Sequence, residues 1–420
     1  MNLSGNWDWE TGKRTILDFD SWKESFQQVE EPYASPDGEK IAAVVRTEDD
    51  SMNVCVNGEI WENGFDRIWY PRFAPDNRLT SLVSESGEWT LAVDGEPWEE
   101  RFEFVWNTQF GADGKTIIIS AVHSEKRYLA VCDGTPWENG FFYMSQVTPG
   151  GDGKNIAAVV QAVPAKEREI EKFQKGCFAI AINGEVRGDI FLNVWDPVLD
   201  AAGRRVAACV RKNLYDYSIA VDGVAWDKNF SSVWVPRFNP IDSSVTAPVR
   251  AGGKWFIARN GETIGNSGFV QVLDHLYGPD GKIAAVVAPK FGRWTVAVDG
   301  KPWSISFGDL VTDLVISPAG GSAACVGKNE GKWFVCVDGK TWGDGFDMAW
   351  APVFSPDGKH VAAKVEKDGI YAILLDGAPV EERFAALWAP LFSPESRKLL
   401  IRGIGTGQDR GKYCRIVKAI

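Results

Sequence analysis

A unit of about 39 residues recurs along nearly the whole chain, and this period constrains the fold more than any single residue does. One complete copy runs over residues 346–384. Its leading Phe returns as Phe26, Phe65, Phe102, Phe141, Phe191, Phe230, Phe269, Phe307, Phe346 and Phe384, at intervals of 37–39 residues with a single interval of 50. A fixed period of this length means a stack of similar supersecondary units, each burying its apolar faces against its neighbours.

Within a copy the pattern reads as four short strands. Residues 346–354 alternate and are expected to form the first, followed by the turn Ser355-Pro356-Asp357-Gly358. The small apolar run of residues 361–365 gives the second, and Ile370 to Leu375 the third. Asp376-Gly377 then turns the chain into a short fourth strand ending at Phe384. Runs of β-formers separated by Asp-Gly are hairpin signals. Four antiparallel strands in about 40 residues, repeated, make propeller blades. The fold expected is therefore all-β, a β-propeller of about ten four-stranded repeats over residues 1–420 as a single repeat domain. One ring of ten is favoured over two rings of five, because no linker divides the chain. Residues 1–26 resemble the end of a repeat and residues 387–420 the start of one. The N-terminal segment is thus expected to complete the last blade and close the ring, leaving no exposed sheet edge.

Tryptophan is periodic too. One set lies four residues after the Phe (Trp69, Trp106, Trp195, Trp234, Trp350 and Trp388), and the even offset is read as placing both on one face of the first strand. A second follows the Asp-Gly turn, as Trp61 and Trp342 do, and a third opens the strand before it, as Trp89 and Trp255 do. Seventeen of the nineteen Trp residues fall in these sets, which makes them structural first. In Trp69-Tyr70-Pro71 and its counterparts a Pro sits inside the first strand. Proline cannot donate to a ladder, so it is expected on an edge facing a central channel. The copies near residues 140–200 and 260–320 are the least regular: Arg187, Ile264 and Val380 replace the second-set Trp, and Ser145, Leu273 and Val311 the first-set one.

The formal net charge of −12 and the lack of a Lys/Arg cluster argue against nucleic acid. No run of 18 apolar residues occurs, so no direct membrane span is expected, and residues 1–10 do not read as a secretory signal. A cytoplasmic location follows as the expectation, and seven cysteines without a C-x-x-C read as buried, reduced thiols.

Signals for chemistry are few. His123, His275 and His360 fall in different repeats without metal-ligand spacing, and no nucleophile motif or phosphate loop stands in a fitting context. No catalytic residue, cofactor or metal is expected, and the chain is read as not an enzyme. Residues 161–176 account for the long interval, as an insertion in the hairpin between the second and third strands of one repeat. It reads as a solvated hairpin or as a protruding arm or short helix that docks a partner, with Glu167, Arg168, Ile170 and Phe173 as candidate partner-binding residues. Arg72 and Arg237 share one place in W-x-P-R-F and are candidates for anchoring a partner's carboxylate; the alternative is pairing with turn carboxylates of their own repeat.

The S-P-D-G-K turn followed by an apolar strand, residues 355–365, resembles TolB-like and WD-repeat-like propellers over nearly the whole chain. The density of Trp in D-G-x-x-W and W-x-P resembles the tryptophan-rich subunit of the Tmc-type transmembrane redox complexes of sulfate-reducing bacteria. That resemblance implies no cofactor in this chain and protein partners that include iron–sulfur and cytochrome subunits, met on the cytoplasmic side and peripheral to the inner membrane. It offers no catalytic residues. The function expected is a non-catalytic scaffold or accessory subunit for protein–protein interaction. The alternatives are a soluble propeller that binds a ligand or peptide in its central channel and, last, a hydrolase with channel carboxylates.

Overall fold

Each repeat is set by its two turns. At the Asp-Gly turn the Asx residue takes a positive φ of 45–53° in Asn57, Asp94, Asp133, Asn183, Asp222, Asn260, Asp299, Asp338 and Asp376. In every one, a side-chain oxygen accepts the backbone N–H that opens the second strand of the same repeat, at 2.8–3.0 Å, as Asp94 does from Leu79. Asp and Asn tolerate this left-handed backbone and supply the acceptor, which explains why the turn recurs as D-G or N-G. At the other turn Ser35 Oγ accepts from the Lys40 N–H at 2.9 Å, and Ser355 repeats the bond with His360.

The computed structural model describes residues 3–48, 50–123, 125–165 and 169–420. The chain is all-β, built from antiparallel sheets that most often have four strands in sequence order. Its contacts divide it into two bodies. The middle body holds Ser86–Leu91 and Pro97–Tyr277; the terminal body holds Asn2–Glu85, Ala92–Glu96 and Gly278–Ile420.

In the middle body one sheet runs Phe104–Phe110, Ile117–His123, Arg127–Cys132 and Thr135–Pro136, and three more follow the same plan up to Glu262–Phe269. The second strand is buried on both faces, as in Val206–Arg211, which accounts for its small residues. Neighbouring sheets pack face to face: Ala157, Val159 and Ile180 of one repeat meet Val194, Val206 and Ala208 of the next. Each larger aliphatic side chain removed from water in this way contributes about 1.5–3 kcal/mol.

The leading Phe does not lead. Phe102 and Trp89 exchange both backbone hydrogen bonds, at 2.8 and 2.9 Å, and Phe141 does the same with Tyr128. Phe346 ends the strand Lys340–Phe346 opposite Trp333, while the first strand opens two residues later at Met348–Ala349. In these copies the Phe therefore closes the fourth strand of the preceding repeat, and Phe and Trp lie on different strands, contrary to the even-offset reading; Phe384 pairs with Tyr371 in the same way but also opens the strand Phe384–Leu387. Spacing alone cannot tell the end of one strand from the start of the next when two residues separate them.

The Pro residues also have a different reason. Pro71 and Pro197 fall where the first strand skips its register, between Trp69 and Arg72 and between Trp195 and Val198. Proline is tolerated because no ladder bond is made at the bulge.

Trp and Gly of D-G-x-x-W are linked between repeats. A Cβ on Gly95 would come within 3.1 Å of the Trp61 indole, and one on Gly339 within 3.3 Å of Trp303. Each Trp thus seats on the turn Gly of the following repeat. Where Arg187 replaces Trp, backbone takes its place: Gly223 has φ +82°, and a Cβ there would meet Arg187 O at 2.4 Å. Gly223→Ala is expected to lower the stability of the middle body by ~2 kcal/mol or more, through strain and lost approach. A urea melt that matches the parent protein would refute this.

In the terminal body, Gly12–Asp18 pairs antiparallel with Lys412–Ala419 and lies at the edge of a ten-stranded sheet. Three buried side chains of the last strands reach the turn of the first sheet. Arg402 Nη1 donates to Ser35 O at 2.7 Å, Tyr413 Oη to Gly38 O at 3.2 Å, and Arg415 Nε to Asp37 O at 2.8 Å.

Six of the seven cysteines are buried and Cys132 is half-buried. Burial pushes the Cys55 and Cys132 thiols up to about 11. Cys325 and Cys336 face each other across adjacent strands, a pairing that sequence spacing did not suggest.

Candidate functional site

The bulge in the first strand carries the polar groups that sequence reasoning passed over. In the middle body the register skips between Trp106 and Gln109, Ser145 and Thr148, and Trp195 and Val198. The residue after the first-strand position takes the left-handed conformation there, with φ of 59° at Asn107, 50° at Gln146 and 49° at Asp196. Such a backbone costs about 1 kcal/mol or more in a non-Gly residue and re-aims its side chain out of the ladder.

These side chains connect consecutive repeats. Gln109 Nε2 donates to Val147 O at 2.7 Å. Gln146 Nε2 donates to Asp196 Oδ1 at 3.3 Å, while its Oε1 accepts the Asp196 N–H at 2.8 Å. Further along, Arg237 Nη2 pairs with Asp274 at 3.3 Å, and its Nε donates to His275 O at the same distance. Burial raises the Asp196 carboxyl above the usual range, and the Arg237 guanidinium pulls it back. His275 is fully buried; its Nε2 lies 2.8 Å from Thr246 Oγ1, and burial with nearby Arg237 pulls its pKa down to about 3. The row can hold polar or charged groups in register. Among the described residues no set of three or more His, Cys, Asp or Glu is placed to hold a metal ion.

The opposite end of the same sheets is aromatic. From Trp89 the rings of Phe104, Trp106, Tyr128, Tyr143 and Phe178 follow one another at 5.6–6.3 Å between centroids. The ladder survives the loss of the first-strand Trp at Ser145, because Tyr143, two residues earlier, supplies the ring. Trp234 and Trp255 stack at 5.6 Å and 4°. Phe104, Tyr143 and Trp234 are exposed despite these contacts.

The candidate partner-binding residues do not form one cluster. Glu167 and Arg168 lie outside the described residues. Ile170 and Phe173 belong to the short helix Ile170–Lys175, with Ile170 63% exposed and Phe173 half-buried. Arg237 lies beside the first turn of its sheet, away from the second-to-third hairpin that the helix occupies in its own sheet. Among the described residues it meets Asp274 of the next repeat and no turn carboxylate of its own. Arg72, in the terminal body, donates to Tyr70 Oη at 3.2 Å and lies 5.1 Å from that ring. The signal that could have found the bulge row was the residue directly after the first-strand position: Tyr70, Asn107, Gln146, Asp196 and Asp274.

No protein-family model matches the chain, and no curated protein matches it. Solved structures do. A eukaryotic initiation factor structure is 12% identical, covering 90% of this chain and 97% of that one, with a TM-score of 0.45. The β-propeller domain of the Trilobed protease from Pyrococcus furiosus is 12% identical, covering 65% and 96%, with a TM-score of 0.31. TolB from Acinetobacter baumannii is 13% identical, covering 75% and 78%, also at 0.31. The last two are β-propellers. None of these three reaches a TM-score of 0.5 or an identity of 25%, so these likenesses bring neither activity nor partner to this chain.

Proposed function

We propose that the chain is a non-catalytic β-propeller scaffold that binds protein partners through the hairpin ends of its sheets. The observation that carries this reading is the recurrence of exposed rings and aliphatic side chains on those hairpins in the middle body, with Tyr215 81% exposed at one tip and Ile170 63% at another. Contiguous exposed apolar surface marks an interaction site more often than isolated apolar residues do. Ten blades in one ring, closed by the N-terminal strand, belong to this proposal; the pairing of Gly12–Asp18 with Lys412–Ala419 supports the last step. So does membership of a membrane-bound electron-transfer complex, entered from the cytoplasmic side. Among the described residues no helix is long and apolar enough to cross a membrane.

Gentle affinity purification from native cells, membranes included, with mass spectrometry and an iron and haem assay, tests both levels. Stoichiometric iron–sulfur and cytochrome subunits are the expected result. Other stoichiometric partners would remove the redox complex and leave the scaffold. Recovery of the chain alone from every fraction would remove the scaffold as well.

The row Gln146–Asp196 and Arg237–Asp274 favours a second reading, a ligand held along the first strands. Thermal stabilisation by a small cationic or amide compound, lost in Asp196→Asn, would move the assignment there.

A further inference from the structure

We propose that the hairpin end of the middle body docks an extended, acidic segment of a partner protein that also carries apolar side chains. This rests on the scaffold reading and specifies the surface and the partner's chemistry.

Three hairpins of these sheets carry more cations than carboxylates, while the hairpin before Trp89 carries Glu88. The chain is acidic as a whole, at −12. Yet the three simple hairpins at residues 123–127, 211–216 and 250–254 carry Lys126, Arg127, Arg211, Lys212, Arg250 and Lys254 against only Glu125 and Asp216. The short helix Ile170–Lys175 is close to neutral, with Lys172 paired to Glu169. Glu103, next to Phe104, limits the basic stretch on one side. At the opposite end the carboxylates are already engaged: Asp113 accepts from Thr116, and Asp133 and Asp222 accept the N–H groups that open their second strands.

The hairpin cations have no such partners. None of the six forms an ion pair among the described residues. Lys126, Arg250 and Lys254 are exposed. Lys212 reaches only the Asn229 amide oxygen, at 2.9 Å, and Arg211 bonds the carbonyls of Asn213 and Leu214. Arg127 lies 3.8 Å from the Phe142 ring, so cation and apolar surface already adjoin. Arg250 sits directly opposite Trp255, which stacks on the exposed Trp234.

The spacing suits an extended peptide. Side chains on one face of a strand repeat every ~6.6 Å, and the ladder rings repeat at 6.0–6.3 Å from Phe104 to Phe178. Alternate apolar side chains of the peptide would rest on the rings, and carboxylates between them would meet the hairpin cations. The chain as a whole is acidic, and a polyphosphate backbone charged at every unit would meet that field more strongly than a peptide carrying a carboxylate only at alternate positions, which favours a peptide over a single-stranded nucleic acid.

Fluorescence anisotropy on the full chain tests this with three labelled probes: a short peptide alternating Glu with Leu and Trp, the same peptide with Lys for Glu, and an oligothymidylate of similar length. The acidic peptide is expected to bind, more weakly at high salt, and Arg250→Glu/Lys254→Glu is expected to weaken it roughly tenfold or more. Tyr215→Ser, at a side chain too exposed to support the fold, should weaken it also. Arg187→Glu, at the other end of its sheet, should not. Should the double variant melt early, Lys126→Glu replaces it. Equal or tighter binding of the Lys peptide or the oligonucleotide, no binding of the acidic peptide, or indifference to charge reversal would each overturn the proposal. Partners that co-purify equally with the parent chain and the charge-reversed variant would leave the scaffold standing on another face. Partners recovered with neither would end both readings.

Discussion

Between pH 6.5 and about 5 the middle body is expected to lose about 1.6 kcal/mol of stability through His275 alone. The imidazole is fully buried, and its neighbours leave no room for a positive charge. Nε2 faces the Thr246 hydroxyl; among the described residues Nδ1 has no hydrogen-bond partner; the Tyr277 ring lies 6.1 Å away. The Arg237 guanidinium opposes protonation further, and the Asp274 carboxylate is already engaged by that guanidinium and by the His275 backbone N–H. Burial thus holds the folded pKa near 3 against 6.5 for a free imidazole. The unfolded chain binds a proton that the folded chain refuses, so stability is full above about pH 6.5 and falls as pH drops toward 3. Across the whole window the loss reaches roughly 3–5 kcal/mol. Above about pH 5 the carboxylates of an unfolded chain stay ionised, so the upper part of the window isolates imidazole titration.

The matched control comes from the repeat itself. Leu314 stands where His275 does, and Ala157 and Ala207 stand where Thr246 does. His275→Leu/Thr246→Ala removes the buried imidazole and the hydroxyl together, leaving neither unsatisfied. Hydrogen exchange of the strands Val245–Ala251 and Gln271–Tyr277 should become faster from pH 6.5 to 5 in the parent chain, after correction for the intrinsic rate. In the double variant that change should be absent. Equal pH dependence in both proteins would show that His275 is not the group responsible.

How far such features can be read in advance depends on the range of the interaction. The Asp-Gly turn is legible because the Asp94 carboxylate bonds the Leu79 N–H within one repeat, and the second strand because Val206, Ala207 and Ala208 are small, apolar and consecutive. The boundary at Phe102 is not. Its partner Trp89 lies thirteen residues back, and the period is the same whichever side of the boundary Phe102 falls on. Contacts between repeats are harder still. Gln146 and Asp196 are fifty residues apart, separated by the insertion, and only a bulge in each strand brings them together. Periodicity reports which residues are equivalent. It does not report which equivalent residues touch, and the candidate site consists of such contacts. The basic hairpins were hidden for a simpler reason: six cations spread over more than 120 residues form no cluster in sequence.

Removing Arg415 should cost the terminal body about 3 kcal/mol, and removing Arg402 distinctly less. Arg415 is 2% exposed, donates to the backbone oxygens of Asp37 and Asp8, and reaches the Glu39 carboxylate at 2.9 Å. Arg415→Ala takes a charged donor from two backbone acceptors and one carboxylate, leaving partly buried groups to find water or go without. Among the described residues Arg402 has no carboxylate partner; its guanidinium bonds Ser35 O and Ala389 O. Truncating it also relieves the cost of burying a charge, so Arg402→Met gives up two hydrogen bonds but recovers part of their worth as desolvation avoided. Both arginines hold the turn at residues 35–38 against the last two strands, yet only Arg415 also ties down the segment around Asp8. Denaturant melts give the order of the two losses. Trypsin cleavage after Lys13 and Arg14 reports the local consequence, since Gly12–Asp18 is an edge strand held by its pairing with Lys412–Ala419. Faster cleavage in Arg415→Ala than in Arg402→Met is expected. Equal losses, or a larger one at Arg402, would mean that these bonds to backbone carbonyls, and not the carboxylate pair, hold the first turn in place.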